Sequence, residues 1–208
     1  MRFAARLTTL LGWGLCLTAC LAGETRRSTV GTTDAKNGWA VNYPKQHKLL
    51  WMAGRLWLFY SDGRDALYRT SRDGAEWGPP VLVHARSSVG HRLGCWFDGT
   101  RLHYAHCASQ DGEDVVYRCG VPNADGTVRW LAPEQVAYAV PADKNVMYPK
   151  VIVDSQGVPW IAFMLYDGAP RKAPYDAVVT KAAGADGAWA SNERLARALQ
   201  PALTRLAA

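Results

Sequence analysis

The feature that most restricts how this chain can fold is a pattern of short apolar runs that occurs three times. Each copy begins with two apolar runs joined by a turn that contains glycine, which is the pattern of a β-hairpin. The paired runs are 49–60, 93–106 and 150–163, with turns at Gly54, Gly99 and Gly157. A further strand-like run follows each pair, at 66–71, 115–120 and 176–182. The sequence therefore predicts repeated antiparallel β-structure.

Each copy then contains Asp-Gly, one to three further residues and a tryptophan. The three stretches are SRDGAEW, NADGTVRW and AGADGAW, which end at Trp77, Trp130 and Trp189. After the tryptophan, the first two copies have a fourth run, at 79–84 and 134–140. Four short strands that recur roughly every 45 to 60 residues are typical of the blades of a β-propeller. We therefore predict an all-β chain folded as a β-propeller of four-stranded blades.

The first of these stretches resembles the Asp-box of the sialidase-like β-propellers, the family of bacterial neuraminidase repeats. Ser71, Asp73, Gly74 and Trp77 match the form Ser-x-Asp-Gly-x-x-Trp. The other two stretches are degenerate, and the resemblance covers residues 43–190. In that family the box lies on the outer rim of a blade, remote from the catalytic centre. The resemblance implies a structural role, in which Asp73 accepts hydrogen bonds from its own turn, Gly74 supplies the unusual dihedral angle and Trp77 packs between blades.

About three blades are visible in residues 39–190, whereas closed propellers usually have about four to eight. The third copy has no fourth run. Residues 191–208 differ from everything before them, because they are rich in Ala, Leu and Arg. Their leucines recur at helical spacing, at Leu195, Leu199, Leu203 and Leu206. We expect an incomplete or truncated propeller followed by a short amphipathic tail or helix.

The first residues are typical of an export signal. The apolar run 7–17 follows two arginines and is shorter than the roughly 20 residues that a membrane-spanning helix needs. The stretch Leu-Thr-Ala-Cys at 17–20 resembles the lipobox of bacterial lipoproteins, in which the cysteine becomes the acylated first residue. We therefore expect a signal peptide at 1–19, a lipid on Cys20 and a flexible tether at 20–38. The resemblance implies a bacterial cell-envelope protein bound to a membrane through this anchor, at the outer membrane or cell surface.

Charge and composition narrow the range of partners. The chain has a formal net charge of +6, but its basic residues are scattered, so nucleic acid is not an expected partner, whereas an anionic small ligand is compatible. No Cys-x-x-Cys pair and no histidine pair at metal-binding spacing occurs, so we expect no metal site and no cofactor. Cys95, Cys107 and Cys119 remain after processing, and an exported chain permits one disulfide among them that the sequence does not choose.

A polar stretch stands immediately before the first strand of each blade. The side chains that these stretches offer are Tyr43, Lys45, His91, Arg92, Tyr148 and Lys150. If the blades surround an axis, these side chains meet at one mouth of the central channel. Convergent cations and phenols there suit a sugar that carries a carboxylate. The alternative is that they pack at the starts of strands, with their long stems lying along the surface, and bind nothing.

Four functions are compatible with such a mouth. The leading one is recognition of an acidic glycan or polysaccharide. A uronate polysaccharide lyase, as in propeller-shaped lyases that share these repeats, would need a base, for which Tyr148 and His91 are the candidates, and a cation beside the carboxylate. Sialidase-like hydrolysis would need three arginines, a tyrosine–glutamate pair and an aspartate acid, a set that we cannot assign here. A protein-interaction scaffold stays open as well, because fold does not decide function.

Overall fold

Twelve β-strands account for nearly all of the regular structure in the described part of the chain. We describe the protein from a computed structural model, which covers residues 27–33, 40–41, 47–87, 92–107, 114–167 and 175–189. The strands are β1 (Leu49–Met52), β2 (Arg55–Ser61), β3 (Ala66–Ser71), β4 (Val81–His84), β5 (Leu93–Phe97), β6 (Leu102–Cys107), β7 (Val115–Pro122), β8 (Val128–Trp130), β9 (Gln135–Tyr138), β10 (Lys144–Val153), β11 (Pro159–Asp167) and β12 (Tyr175–Lys181). Within these ranges, no helix is long and apolar enough to cross a membrane.

The strands form three antiparallel sheets in chain order. The first sheet has the order β1-β2-β3-β4, the second β5-β6-β7-β8 with β9 also paired to β7, and the third β10-β11-β12. The all-β prediction and the three predicted hairpins are confirmed. No closed barrel or propeller is detected in the described ranges, so the propeller stays a prediction.

The fourth strand of the second sheet is split into two pieces. β8 pairs with the end of β7 through Gly120 and Trp130, whereas β9 pairs with its start through Val115 and Tyr138. We predicted β9 as a strand but not β8, which lies inside the second Asp-Gly stretch. In the third sheet, a single bridge between Ala182 and Trp189 follows β12 where the other sheets continue with a strand.

The middle sheet is buried on both faces. Between the first and second sheets lies a cluster that contains Trp57, Phe59 and Tyr104. Between the second and third sheets lies another, built around Tyr117 and Ile161. Neighbouring side chains of a strand point to opposite faces, so β6 contributes to both clusters. Full burial of each large apolar side chain contributes roughly 1.5 to 3 kcal/mol, and these two layers hold the three sheets together.

The second and third sheets approach each other closely at Gly94 in β5. A Cβ atom built on Gly94 would overlap the carbonyl oxygen of Pro149 in β10. Only glycine leaves room for the backbone there, since any side chain would push the two strands apart. This contact sets the position of β10, and with it the position of Tyr148 and Lys150.

Within each sheet, the Asp-Gly turn lies at the end opposite to the start of the first strand. The first and third strands of each sheet run in the same direction, because both are antiparallel to the strand between them. The turns follow the ends of β3, β7 and β12, whereas Lys48 and Arg92 precede the starts of β1 and β5. The first two box turns are therefore separated from Lys48 and Arg92 by the length of the strands. Tyr148 and Lys150, however, lie inside β10 and not before its start, where we predicted them.

Candidate functional site

The first Asp-box is a closed hydrogen-bonded turn. The Asp73 carboxylate accepts hydrogen bonds from the backbone N–H groups of Ala75 at 2.9 Å and Glu76 at 3.0 Å, and it also bonds the Ser71 hydroxyl. These bonds favour the ionised form and hold the pKa of Asp73 below its ordinary value. Gly74 has a φ of +77°, a conformation that L side chains rarely adopt. The carboxylate is engaged within its own turn.

Trp77 joins this turn to the N-terminal segment. Its indole Nε1 donates to the Gly74 carbonyl at 3.2 Å and to the Ser28 hydroxyl at 3.0 Å. Ser28 in turn donates to the same carbonyl at 2.7 Å. Part of the segment predicted as a tether therefore contacts the box. Trp77 is half-buried, and its packing between blades stays a prediction.

The two degenerate boxes form similar turns. Asp125 accepts from the backbone N–H of Thr127 at 2.9 Å, and Asp186 accepts from that of Ala188 at 3.1 Å. The tryptophans that end these stretches pack edge-on against buried tyrosines, Trp130 on Tyr104 and Trp189 on Tyr117. Each of the three turns thus uses its aspartate to fix local backbone.

The predicted ligand residues fall into three groups. Tyr43, Lys45 and His91 lie outside the described residues, as does Cys20. Tyr148 and Lys150 line one cleft on the third sheet. Arg92 lies elsewhere, buried with 7% of its surface exposed beside the first strand of the second sheet. Of the three predicted ligand residues that the structure describes, it therefore brings together two.

The cleft is open and has a volume of about 340 Å³. All three strands of the third sheet contribute to it. Its lining residues are Tyr148, Lys150, Ala162, Phe163, Met164, Tyr175, Asp176 and Ala177. Mostly apolar walls with a few polar groups are the usual composition of small-molecule sites. Here the polar groups are two phenols, one ammonium and one carboxylate.

A β-bulge directs Tyr148 and Lys150 into this cleft. The register between β10 and β11 shifts between Met147 and Lys150, and Tyr148 has a φ of +59°. A bulky non-glycine residue in the left-handed region is unusual, and such residues are found preferentially at functional sites. Bulges likewise serve to re-aim side chains next to binding sites. The local backbone is therefore organised around the position of Tyr148.

A second group of polar side chains lies between the first and second sheets, where Lys48, Arg92, Tyr104 and His106 are buried, His84 is partly buried and Glu134 is exposed. It consists of Lys48, His84, Arg92, Tyr104, His106 and Glu134. His84 Nδ1 lies 3.0 Å from Glu134 Oε2, and the Tyr104 hydroxyl donates to the same carboxylate oxygen. The rings of His84 and His106 stack with centroids 3.8 Å apart. The group forms a continuous polar layer inside an otherwise apolar interface.

Burial determines the protonation of this layer. It lowers the pKa of His106 well below its usual value, and the positive charges of His84, Arg92 and Lys48 act in the same direction. Burial alone would raise the pKa of Glu134, but hydrogen bonds from His84 and Tyr104 outweigh it and the net pKa is lowered. At neutral pH we expect a neutral His106 and an ionised Glu134.

Lys48 is the most buried cation of the layer. Desolvation lowers the pKa of Lys48 to about 8. It lies near the thiols of Cys95 and Cys107, whose pKa values burial raises to about 12. These thiols are therefore protonated at neutral pH and contribute no compensating negative charge. Cys95, Cys107 and Cys119 are free and buried.

Cys107 links the polar layer to the cleft. The charge of Arg92 acts on the Cys107 thiol, and the backbone N–H of Tyr148 is hydrogen-bonded to it. The thiol also lies 3.8 Å from the carbonyl oxygen of Val146. Arg92 and Tyr148 are thus neighbours of one side chain, although only Tyr148 lines the cleft.

The sequence did not allow us to predict most residues of the polar layer. Lys48, His84, His106 and Glu134 come from four separate stretches of the chain, and no short motif joins them. A signal was present, since His84 is the last and His106 the next-to-last residue of a strand in which apolar residues predominate. Among the described residues, no group of three His, Cys, Asp or Glu side chains is placed to hold a metal ion.

Comparison with known proteins gives no assignment for these sites. No protein-family model matches the chain, and no curated protein matches it.

Proposed function

We propose that this chain is an exported, membrane-anchored protein of the sialidase-like β-propeller type that recognises acidic glycans. The observation that carries the proposal is the cleft on the third sheet, which combines Tyr148 and Lys150 with a half-exposed second phenol, Tyr175. The Asp-box turns and the three successive antiparallel sheets support the propeller assignment.

The chemistry of the cleft suits a sugar that carries a carboxylate. Phenol rings offer a flat apolar surface together with a hydroxyl group, so they can pack against a sugar face and bond its hydroxyls. The Lys150 ammonium is a point charge with three donors. It is exposed and free to reorient toward a ligand carboxylate. Asp176 would accept hydrogen bonds from sugar hydroxyls and disfavour a second anionic group nearby.

A glycan array with Lys150→Ala tests the proposal. We expect the variant to bind acidic glycans about tenfold more weakly or worse, since one charge-assisted hydrogen bond is lost, while binding of neutral glycans changes less. Free uronate should compete with the parent protein. Lys181→Ala is the matched control, because Lys181 lies over the Trp160 ring of the same sheet and does not line the cleft. Equal binding by the parent and Lys150→Ala would contradict the assignment.

A polysaccharide lyase is the second candidate, because Tyr148 and Lys150 place a possible base beside a cation in the same cleft. An eliminative lyase produces unsaturated uronate, which ultraviolet absorbance detects. For a lyase, Tyr148→Phe should abolish this product and leave affinity within about tenfold. For a binding protein, neither the parent nor the variant yields product. Release of free sialic acid by the parent would instead support sialidase-like hydrolysis.

A further inference from the structure

Two buried nitrogen atoms in the polar layer have no hydrogen-bond partner in the structure. They are Nζ of Lys48 and Nε2 of His106, and the two side chains are only 6% and 1% exposed. Buried polar groups in folded proteins are nearly always satisfied, by protein, water or a bound ion. Two such atoms in one layer indicate that something else completes their bonding.

The charges around these atoms point to an anion. His106 lies within the fields of Lys48, Arg92 and His84, all of which oppose its protonation. The Cys95 and Cys107 thiols beside Lys48 stay protonated at neutral pH, because their pKa values are about 12. The Glu134 carboxylate is already bonded to His84 and Tyr104. A buried ammonium without an opposite charge is strongly unfavourable, and a bound anion removes that cost.

We propose that Lys48 and His106, with Arg92 alongside, form an internal binding site for a small monovalent anion of halide size. Lys48 offers three N–H donors, and the neutral imidazole of His106 offers one at Nε2 in one of its tautomers. This small number of donors suits a single monatomic ion. A dianion would carry more charge into the protein interior and would need more donors. The site lies between the first and second sheets and does not depend on the proposed glycan cleft.

Thermal unfolding in matched salts tests the site. Sodium chloride and sodium gluconate are compared at equal ionic strength and pH 7, since gluconate is too large for an internal halide site. We expect chloride at a hundredfold excess over its Kd to raise the unfolding midpoint by about 5 to 10 °C relative to gluconate. Identical midpoints in the two salts would overturn the proposal, because only ionic strength would then be acting.

Lys48→Met assigns the effect to this residue. Methionine keeps much of the apolar stem and removes the ammonium, so the chloride-specific shift should disappear. Lys181→Met, at a lysine that lies over the Trp160 ring of the third sheet, should keep the full shift. In the parent protein the shift should also shrink between pH 7 and pH 9, because Lys48 loses its proton around pH 8. A chloride-specific shift that survives Lys48→Met would show that the ion binds elsewhere.

Direct observation of the ion covers the case in which Lys48→Met fails to fold. Crystals of the parent protein grown in sodium bromide should show an anomalous scattering peak within hydrogen-bonding distance of Lys48 Nζ. An ordered Lys48 with no such peak would overturn the proposal, and so would peaks confined to the protein surface.

Discussion

His106 lies between the first and second sheets with 1% of its surface exposed. His103, three residues earlier in β6, points to the opposite face and has partners on both ring nitrogens, Tyr117 at 2.7 Å and Asp98 at 3.0 Å. Burial lowers the pKa of both histidines. The charges of His84, Arg92 and Lys48 lower the pKa of His106 further, whereas Asp98 counteracts burial at His103. Two histidines of one strand therefore have different electrostatic environments, because they point to opposite faces of the second sheet.

The low pKa of His106 makes stability depend on pH. Below about pH 6.5 the unfolded chain binds a proton that folded His106 does not, so the free energy of unfolding decreases as the pH falls. One such group contributes a slope of at most about 1.4 kcal/mol per pH unit. His106→Gln should remove this part of the loss. Urea unfolding in chloride-free buffer at pH 7 and pH 5 measures the decrease in the free energy of unfolding of each protein. An equal decrease in parent and variant would show that another group is responsible.

At the scale of strands, the sequence pattern predicts the local structure well. The run at 66–71 coincides with β3, and the Gly-containing turns separate the strands of all three hairpins. These features depend on alternation and turn residues, which act over a few positions. β8 was missed because Val128–Trp130 is a three-residue strand inside a stretch whose Asp-Gly pair dominates the pattern. Its pairing with β7 is a tertiary contact that local preference does not reveal.

Gly94 is the strand residue on which the packing of two sheets depends. Gly94→Ala should destabilise the protein by roughly 2 kcal/mol or more, because the added methyl group meets the Pro149 backbone, which cannot rotate away as a side chain can. Gly78→Ala is the matched control, since its Cβ would make ordinary contacts with Thr70, the nearest at 3.6 Å. Chemical unfolding of the three proteins measures the difference. Equal losses for the two variants would contradict the close approach of β5 and β10.

At the scale of the whole molecule, the order of the sheets was predictable and their contacts were not. Lys48 and His106 are 58 positions apart in the sequence, and nothing near either residue indicates that they meet. Tyr148 and Lys150 were found because they are close together in a repeated stretch. The repeat also suggested that Arg92 would join them, but burial places Arg92 beside His106 and Cys107 instead. Equivalent positions in a repeat need not face the same surface.

The expected lipid anchor at Cys20 would fix the position of the whole molecule relative to the membrane. Cys20 and Ser28 are eight residues apart, so the chain between them spans at most about 29 Å. Ser28 is hydrogen-bonded to Gly74 and Trp77, and an anchored protein would therefore hold its first Asp-box turn close to the bilayer surface.

Cys20→Ser tests the anchor by removing the acyl acceptor. We expect the variant to move from the membrane pellet to the soluble fraction, and we expect it to bind glycans as the parent does, because Cys20 is far along the chain from every residue that lines the cleft. Cys16→Ser is the matched control, since it changes a cysteine within the signal and leaves the lipobox intact. Fractionation after a high-salt wash distinguishes acyl anchoring from electrostatic adsorption of a basic protein, because salt screens only the latter. Retention of Cys20→Ser in the washed pellet would show that another segment holds the protein at the membrane.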